Sequence, residues 1–268
     1  MGLPKSLSMQ KTLIDQLGRK IEFSYPPNRI VSTVPSQTEL LFDLGLESKI
    51  VGITWFCIHP EEKVKKVAKI GGTKNLKIEL IRQLKPDLII ANKEENEKAQ
   101  VEELSKEFPV WISDIKTLDD SFSMMKCIGE MTGTAEKANQ LISEIKSAFQ
   151  EITPASSLKT LYLIWRKPYM SIGNQTFIHS ILTKCGLVNV CGDSERYPEL
   201  TLDQIQQLNP ELILLSSEPY PFKDKHIEEL KSIAPNAKIM LVDGEMFSWY
   251  GCRLLKAGGY LKDFIASL

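Results

Sequence analysis

The sequence predicts an α/β protein: two similar lobes with mainly parallel sheets, joined by one long α-helix. Three observations carry that expectation. The segment Ile78-Glu79-Leu80-Ile81-Arg82-Gln83-Leu84-Lys85-Pro86-Asp87-Leu88-Ile89-Ile90 returns, starting 124 residues later and without a gap, as Leu202-Asp203-Gln204-Ile205-Gln206-Gln207-Leu208-Asn209-Pro210-Glu211-Leu212-Ile213-Leu214. Each copy reads as a short amphipathic helix, a Pro that stops it and a buried strand. Apolar runs alternate with helical patterns on both sides of the middle of the chain, which implies βα units. Between Leu118 and about Ile152 no strand pattern occurs, and Phe122, Met125, Ile128, Met131, Ala138, Leu141, Ile145 and Phe149 fall at helical spacing.

Taken in order, residues 11–28 read as an opening hairpin closed off by Pro26-Pro27. Residues 29–34 form a β-branched strand ending at Pro35. Ser36 or Thr38 is placed to cap the helix over 39–44, and Gly45 ends it. Residues 50–54 give a second strand that runs into Trp55-Phe56-Cys57-Ile58-His59-Pro60. After Gly71-Gly72 and a loop come the first repeat helix, the strand 88–91, a helix through Leu104 and a strand over 108–112. A helix over 118–153 follows, about 45–50 Å long at 1.5 Å per residue if unbroken. Gly129 and Gly133 make a break the competing reading. The alternation then resumes with a strand over 159–165, a helix from Thr176 to Cys185, the second repeat helix 202–208 with its strand 212–215, a strand over 238–243 and a closing helix over 253–266. The expected division is 1–117, 118–153 and 154–268, with each lobe Rossmann-like.

Composition narrows the function. At 43% hydrophobic and 25% charged residues, the chain has the make-up of a soluble globular protein. A formal net charge of -1 leaves no basic footprint for nucleic acid. Five cysteines without a CxxC pair read as scattered thiols, and Cys57 with His59 fills at most one side of a metal site, so no metal site is assigned. Residues 1–11 lack an apolar core and a cleavage site, so the chain either stays inside the cell or is a trimmed mature form. No GxSxG, P-loop, GxGxxG or HExxH occurs, and three histidines leave little for a Ser-His-Asp arrangement, so no catalytic residue is assigned. Asp114 and Asp243 end equivalent strands and are read as loop braces.

The order and spacing of several segments resemble a known family. They are Asp15…Leu17-Gly18-Arg19, Pro27-Asn28-Arg29-Ile30-Val31-Ser32…Pro35-Ser36…Thr38-Glu39-Leu40-Leu41…Leu44-Gly45, Gly71-Gly72…Asn75-Leu76, the two repeats and Cys185-Gly186-Leu187. The chain resembles, over 15–268, the helical-backbone metal receptors. These are class III periplasmic binding protein-like substrate-binding proteins of ABC importers for iron–siderophore complexes, haem or cobalamin. The resemblance implies a metal chelate held between two lobes and delivered to an ABC permease dimer with its ATPase. It also implies a monomer in a periplasmic or other extracytoplasmic compartment, with no prosthetic group. By resemblance, Glu79 and Asp203 fall on the two permease-docking positions. The plain alternative is that both are first-turn residues favoured by the helix dipole. A different class stays open: an intracellular tetrapyrrole or metal-chelate carrier, or a chelatase-like enzyme, which the missing leader would favour.

Open α/β sheets bind ligands at the carboxyl ends of their strands. Three of the four Trp and several Tyr fall in such segments, interleaved with Arg and Lys. Aromatic walls suit a macrocycle or a catechol- or hydroxamate-rich chelate, and cations suit its carboxylates. The expected ligand-binding residues are Trp55, Phe56, His59, Trp165, Arg166, Tyr197, Tyr220, Trp249, Tyr250 and Arg253. Core or rim packing is the plain alternative for each aromatic. His59 is a candidate axial ligand, although a lone His before Pro more often makes structural hydrogen bonds. Cobalamin-binding members, by resemblance, carry aromatics in the loops that here hold Lys74 and Asn92, which favours an anionic chelate over cobalamin.

Overall fold

The computed structural model describes residues 9–155 and 157–268. Residues 1–8, which carry most of the stretch read for a leader, lie outside the described residues. The chain divides into two compact units. The first comprises residues up to Ile115, Asp120–Ser143 and Tyr250–Cys252, and the second Lys116–Asp119, Glu144–Trp249 and Arg253–Leu268.

The first unit is built on a five-stranded parallel sheet. Its order is Ala68–Lys69, Ile50–Ile53, Ile30–Ser32, Leu88–Asn92, Val110–Ser113. The order reverses between Ile30–Ser32 and Leu88–Asn92, which is a topological switch point. Val31, Ile89, Ala91, Val110 and Ile112 pack on one face against Ile81, Val101 and Leu104 of the helices Ile78–Leu84 and Lys98–Ser105. Both faces are covered, so the strands read as continuous apolar runs rather than alternating ones.

The predicted hairpin forms from Met9–Ile14 and Lys20–Tyr25. Its turn closes the free edge of Val110–Ser113. Gln16 N donates to Ile112 O at 3.1 Å, Arg19 Nη2 to Val110 O at 2.8 Å, and the Gln16 side chain accepts from Asp114 N at 3.1 Å. Asp15, 4% exposed, ties the turn by accepting from Leu17 N, Arg19 N and Arg19 Nε at 2.8–3.0 Å. An open edge strand is a template for aggregation, and this turn removes it.

Two local expectations are corrected. The helix predicted over 39–44 starts earlier, at Pro35, and runs to Asp43 with Val34 at the N-cap and no side-chain cap bond. Proline at the first helical position needs no partner for an N–H it lacks, so neither Ser36 nor Thr38 is required as a cap. The single helix over 118–153 is two helices, Leu118–Thr132 and Ala135–Gln150, broken at Gly133 with φ +76°. They approach so closely that a Cβ on Gly129 would meet Ala138 Cβ at 2.6 Å. The longer helix therefore spans only about 24 Å.

The second unit carries a six-stranded sheet. Lys159–Trp165 pairs in parallel with Leu212–Ser216, which pairs with Lys238–Val242, and also in parallel with Val188–Asn189. Tyr169–Ser171 returns antiparallel to Lys159–Trp165, and Glu199–Leu200 adds antiparallel to it. These two- and three-residue strands have no readable period in the sequence. Leu161, Leu163, Ile213 and Leu215 pack against Ile205, Phe222 and Leu230.

The repeat is reproduced residue for residue as the helices Ile78–Leu84 and Leu202–Leu208 and the strands Leu88–Asn92 and Leu212–Ser216. Lys85 and Asn209, each before its Pro, take left-handed φ values of 47° and 43° and end their helices. The acids that follow also match in role. Asp87 accepts from Asn28 N and Arg29 N, and Glu211 accepts from Lys159 N, all at 2.8 Å, so each acid holds the start of its neighbouring strand.

Candidate ligand site

In the first unit the carboxyl ends of the strands form a buried polar layer. Ser32, Thr33, Thr54, Asn92 and Ser113 are all 3% exposed or less. Gln37 Nε2 and Asn92 Nδ2 both donate to Ser113 Oγ, at 2.5 and 2.9 Å. Asn92 Oδ1 accepts from Glu94 N and Glu95 N at 2.9 Å, which shapes the loop after its strand. Asn92 is thus a structural residue in a position where the sequence showed only a polar loop.

The strand Ile50–Ile53 ends in a turn that carries apolar side chains outward. Trp55, Phe56 and Ile58 are 52%, 59% and 49% exposed, far more than large hydrophobics usually are. The turn is fixed by Trp55 N donating to Gly71 O at 2.9 Å and by Cys57, whose buried Sγ lies 3.2 Å from the hydroxyls of Thr38 and Thr54. Burial pushes the Cys57 thiol up, so it stays neutral and acts as packing. Lys77 Nζ stands 5.1 Å from the Trp55 ring centroid, placing a cation on an aromatic face. Lys77 and Ile58 were not singled out from sequence, because nothing in local spacing brings Lys77 to residue 55. His59 is half-buried just before the short helix Glu61–Val64. Among the described residues no group of three or more His, Cys, Asp or Glu could hold a metal ion.

In the second unit Trp165 ends its strand 40% exposed. Its ring stands edge-on to Tyr220 at 5.7 Å between centroids. Arg166 is engaged in a two-pronged pair with Glu229, closest approach 2.7 Å, and Tyr169 donates to the same carboxylate at 2.8 Å. Tyr197 is half-buried before Glu199–Leu200. Trp249, Tyr250 and Arg253, expected on the ligand surface, are only 8%, 6% and 5% exposed. Trp249 Nε1 donates to Glu218 at 2.9 Å, and Arg253 lies 5.2 Å from the Trp249 ring and 3.2 Å from Glu245. Tyr250 lies in the segment that packs with the first unit.

Burial pushes the Glu218 carboxyl above the usual range. Ser248 and Trp249 oppose the shift by hydrogen bonding, and Glu245 and Asp243 add to it. A carboxyl with a raised folded-state pKa contributes stability at low pH that is lost as pH rises through that pKa. Glu218→Gln keeps an acceptor oxygen and removes the buried charge. It is expected to leave stability at pH 7.5 unchanged or raised by up to about 1 kcal/mol, and to remove this part of the pH dependence in urea unfolding. A loss above about 2 kcal/mol would contradict this reading.

Glu79 and Asp203 are both exposed in the first turns of the repeat helices. Glu79 pairs with Arg82, which also binds Glu103 and Glu107 at 2.8 and 2.6 Å. Asp203 follows Thr201, whose capping box with Gln204 orders the helix start. A surface hollow of about 480 Å³, lined by Lys20–Glu22 and Ser105–Val110, opens at the amino end of Val110–Ser113, the opposite end of the sheet from the exposed aromatics.

Parallel strands with a switch point and solvent-facing aromatics at strand ends are the arrangement of a ligand-binding α/β protein. The match of residues 30–236 to the periplasmic binding protein family covers well over half of the chain, and the chain belongs to that family. It is 29% identical to an uncharacterized ABC transporter substrate-binding lipoprotein, YvrC, of Bacillus subtilis, over 95% of this chain and 85% of that one. It is 24% identical to a vitamin B12-binding protein of Pectobacterium carotovorum, over 90% of both. Its fold is that of a possible iron-binding periplasmic solute-binding protein from Staphylococcus epidermidis, with a TM-score of 0.75 and 25% identity over 90% of this chain and 99% of that one.

Proposed function

We propose that this chain is the substrate-binding component of an ABC importer and that its cargo is a metal chelate with a flat or aromatic face and an anionic rim. The observation that carries the reading is the Trp55–Phe56 turn, held in solvent at a strand end with the Lys77 ammonium on the Trp55 face. Desolvating such a face against a ring system is favourable, and a cation beside it selects carboxylate, catecholate or hydroxamate oxygens. Trp165 offers the corresponding surface in the second unit. Trp249, Tyr250 and Arg253 support the loops from beneath in this reading and do not touch ligand.

The relatives named above support the same class: one is a substrate-binding lipoprotein and another binds vitamin B12. The reading gives the protein a permease and ATPase as partners, an extracytoplasmic site of action and no catalysis of its own. Glu79 and Asp203 remain the proposed docking acids. Glu79 would exchange its Arg82 partner for a permease cation.

Thermal-shift measurement with a ferric siderophore, haemin and cyanocobalamin tests the reading. At about 100 times its dissociation constant, a cognate chelate adds about 2.7 kcal/mol of stability. Trp55→Ala with Phe56→Ala should weaken that chelate about tenfold or more. The unliganded protein should change little, because about half of each side chain is already exposed. Undiminished affinity in the double variant would remove the turn from the site.

A further inference from the structure

We propose that the buried His226 is a positioning residue for ligand recognition: in its neutral Nε2–H form it fixes Tyr220, and Tyr220 fixes the exposed Trp165. The inference rests on the proposed role of Trp165 as ligand surface. It concerns a histidine on the helix Asp224–Lys231, outside the candidate ligand residues.

His226 is 2% exposed on the helix Asp224–Lys231. The backbone N–H of Lys223 donates to its Nδ1 at 2.8 Å. An acceptor nitrogen carries no proton, so the ring proton of the neutral imidazole sits on Nε2. Nε2 stands 3.2 Å from Tyr220 Oη and donates to it. The Tyr220 ring is also held by its backbone N–H to Ile164 O at 3.2 Å and by edge contacts to Phe222 and His226, at 4.8 and 5.5 Å between centroids. It also meets the Trp165 ring edge-on. A buried imidazole, a half-buried phenol and an exposed indole thus form one chain of contacts ending in solvent at a strand end.

This arrangement depends on the protonation state of His226. A second ring proton on Nδ1 would oppose the Lys223 N–H, breaking the bond that aims Nε2 at Tyr220. The charged groups facing the ring are few. Lys225 and Glu229 lie on its own helix, Arg166 follows the Trp165 strand, and Tyr169 acts through the Glu229 carboxylate. Burial depresses the His226 pKa, Lys225 and Arg166 add to this, and Glu229 opposes them. The neutral form therefore persists at neutral pH, and the support for Trp165 is lost only on the acid side of the ordinary imidazole range.

Two arms of one experiment decide the matter. Without ligand, ¹H–¹⁵N spectra should show His226 as the Nε2–H tautomer at pH 7.5. The Trp165 fluorescence, isolated by difference against Trp165→Phe, should change with the midpoint of His226. With haemin and a ferric siderophore as probes, His226→Phe should bind roughly five- to tenfold more weakly at pH 7.5. His226→Gln, whose amide both donates and accepts without titrating, should keep wild-type affinity within about twofold and lose the acid-side decline. An Nδ1–H tautomer, a Trp165 signal blind to His226, or equal binding by His226→Phe at every pH overturns the proposal while the importer reading stands. If neither of these probes nor cyanocobalamin binds the wild type, the importer reading is what fails, and the ligand-free arm still decides whether His226 positions Trp165.

Discussion

Gly71→Ala is expected to destabilise the protein by about 3 kcal/mol and to displace the Trp55–Phe56 turn. Gly71 has φ +104°, which side-chain-bearing residues rarely adopt, and a Cβ there would sit 2.3 Å from Asn75 O and 3.1 Å from Lys77 N. Those atoms are backbone and cannot rotate away. Gly71 O is also the acceptor that holds Trp55 N, and Gly71–Gly72 pairs with Asn75–Leu76 just before Lys77. Strain at residue 71 therefore reaches both the aromatic turn and the cation on its face. Urea unfolding should give the loss in stability, and near-ultraviolet circular dichroism should report the altered Trp55 setting. A change within about 0.5 kcal/mol, the ordinary range of surface substitutions, would show that this backbone is not as constrained as described.

A comparable loss, about 3 kcal/mol, is expected for Asp15→Ala. The carboxylate accepts three close N–H groups and pairs with Arg19 at 2.8 Å, all with its own side chain fully buried. Its removal leaves the Leu17 and Arg19 amides without an acceptor and releases the turn that covers Val110–Ser113. The variant should therefore unfold earlier and also aggregate faster on mild heating, because the edge strand is uncovered. Asp15→Asn, which keeps acceptor capacity but not charge, should fall between the two. Stability and aggregation rate equal to those of the wild type in Asp15→Ala would contradict the assigned role.

These two residues show what the sequence made legible and what it did not. The repeat was fully readable, because helix period, proline stop and buried strand are all local signals and both copies kept them at one offset. Asp15 and Gly18-Arg19 were readable only as part of a pattern. Asp15 and Gly18 bond within their own turn, but the edge strand that the turn covers lies at 110–113, and no local rule connects a hairpin turn to a strand a hundred residues away. The break at Gly133 lost to helical periodicity because apolar spacing continues across it, while the contact that requires it, Gly129 against Ala138, is tertiary. Among the candidate ligand residues, the strand-end rule picked out Trp55, Phe56 and Trp165, which are exposed. It did not separate them from Trp249, Tyr250 and Arg253. Trp249 is tied to Glu218, Arg253 to Glu245, and Tyr250 belongs to a segment of the first unit, relations that local sequence does not reveal. His226 shows the same limit, since its partners Lys223 and Tyr220 are close in sequence but their geometry is set by the loop.

The proposal stands or falls on reversible binding of a metal chelate without chemistry, with Trp55 and Phe56 of the first unit and Trp165 of the second each offered as contact residues. Titrating the purified chain with haemin, cyanocobalamin and a ferric siderophore, followed by mass spectrometry of the released chelate, tests it directly. The account predicts that at least one binds saturably and is recovered intact, with affinity reduced about tenfold or more in the Trp55→Ala, Phe56→Ala, Trp165→Ala variant. No saturable binding by any of the three, or a chelate recovered without its metal or chemically altered, would contradict it.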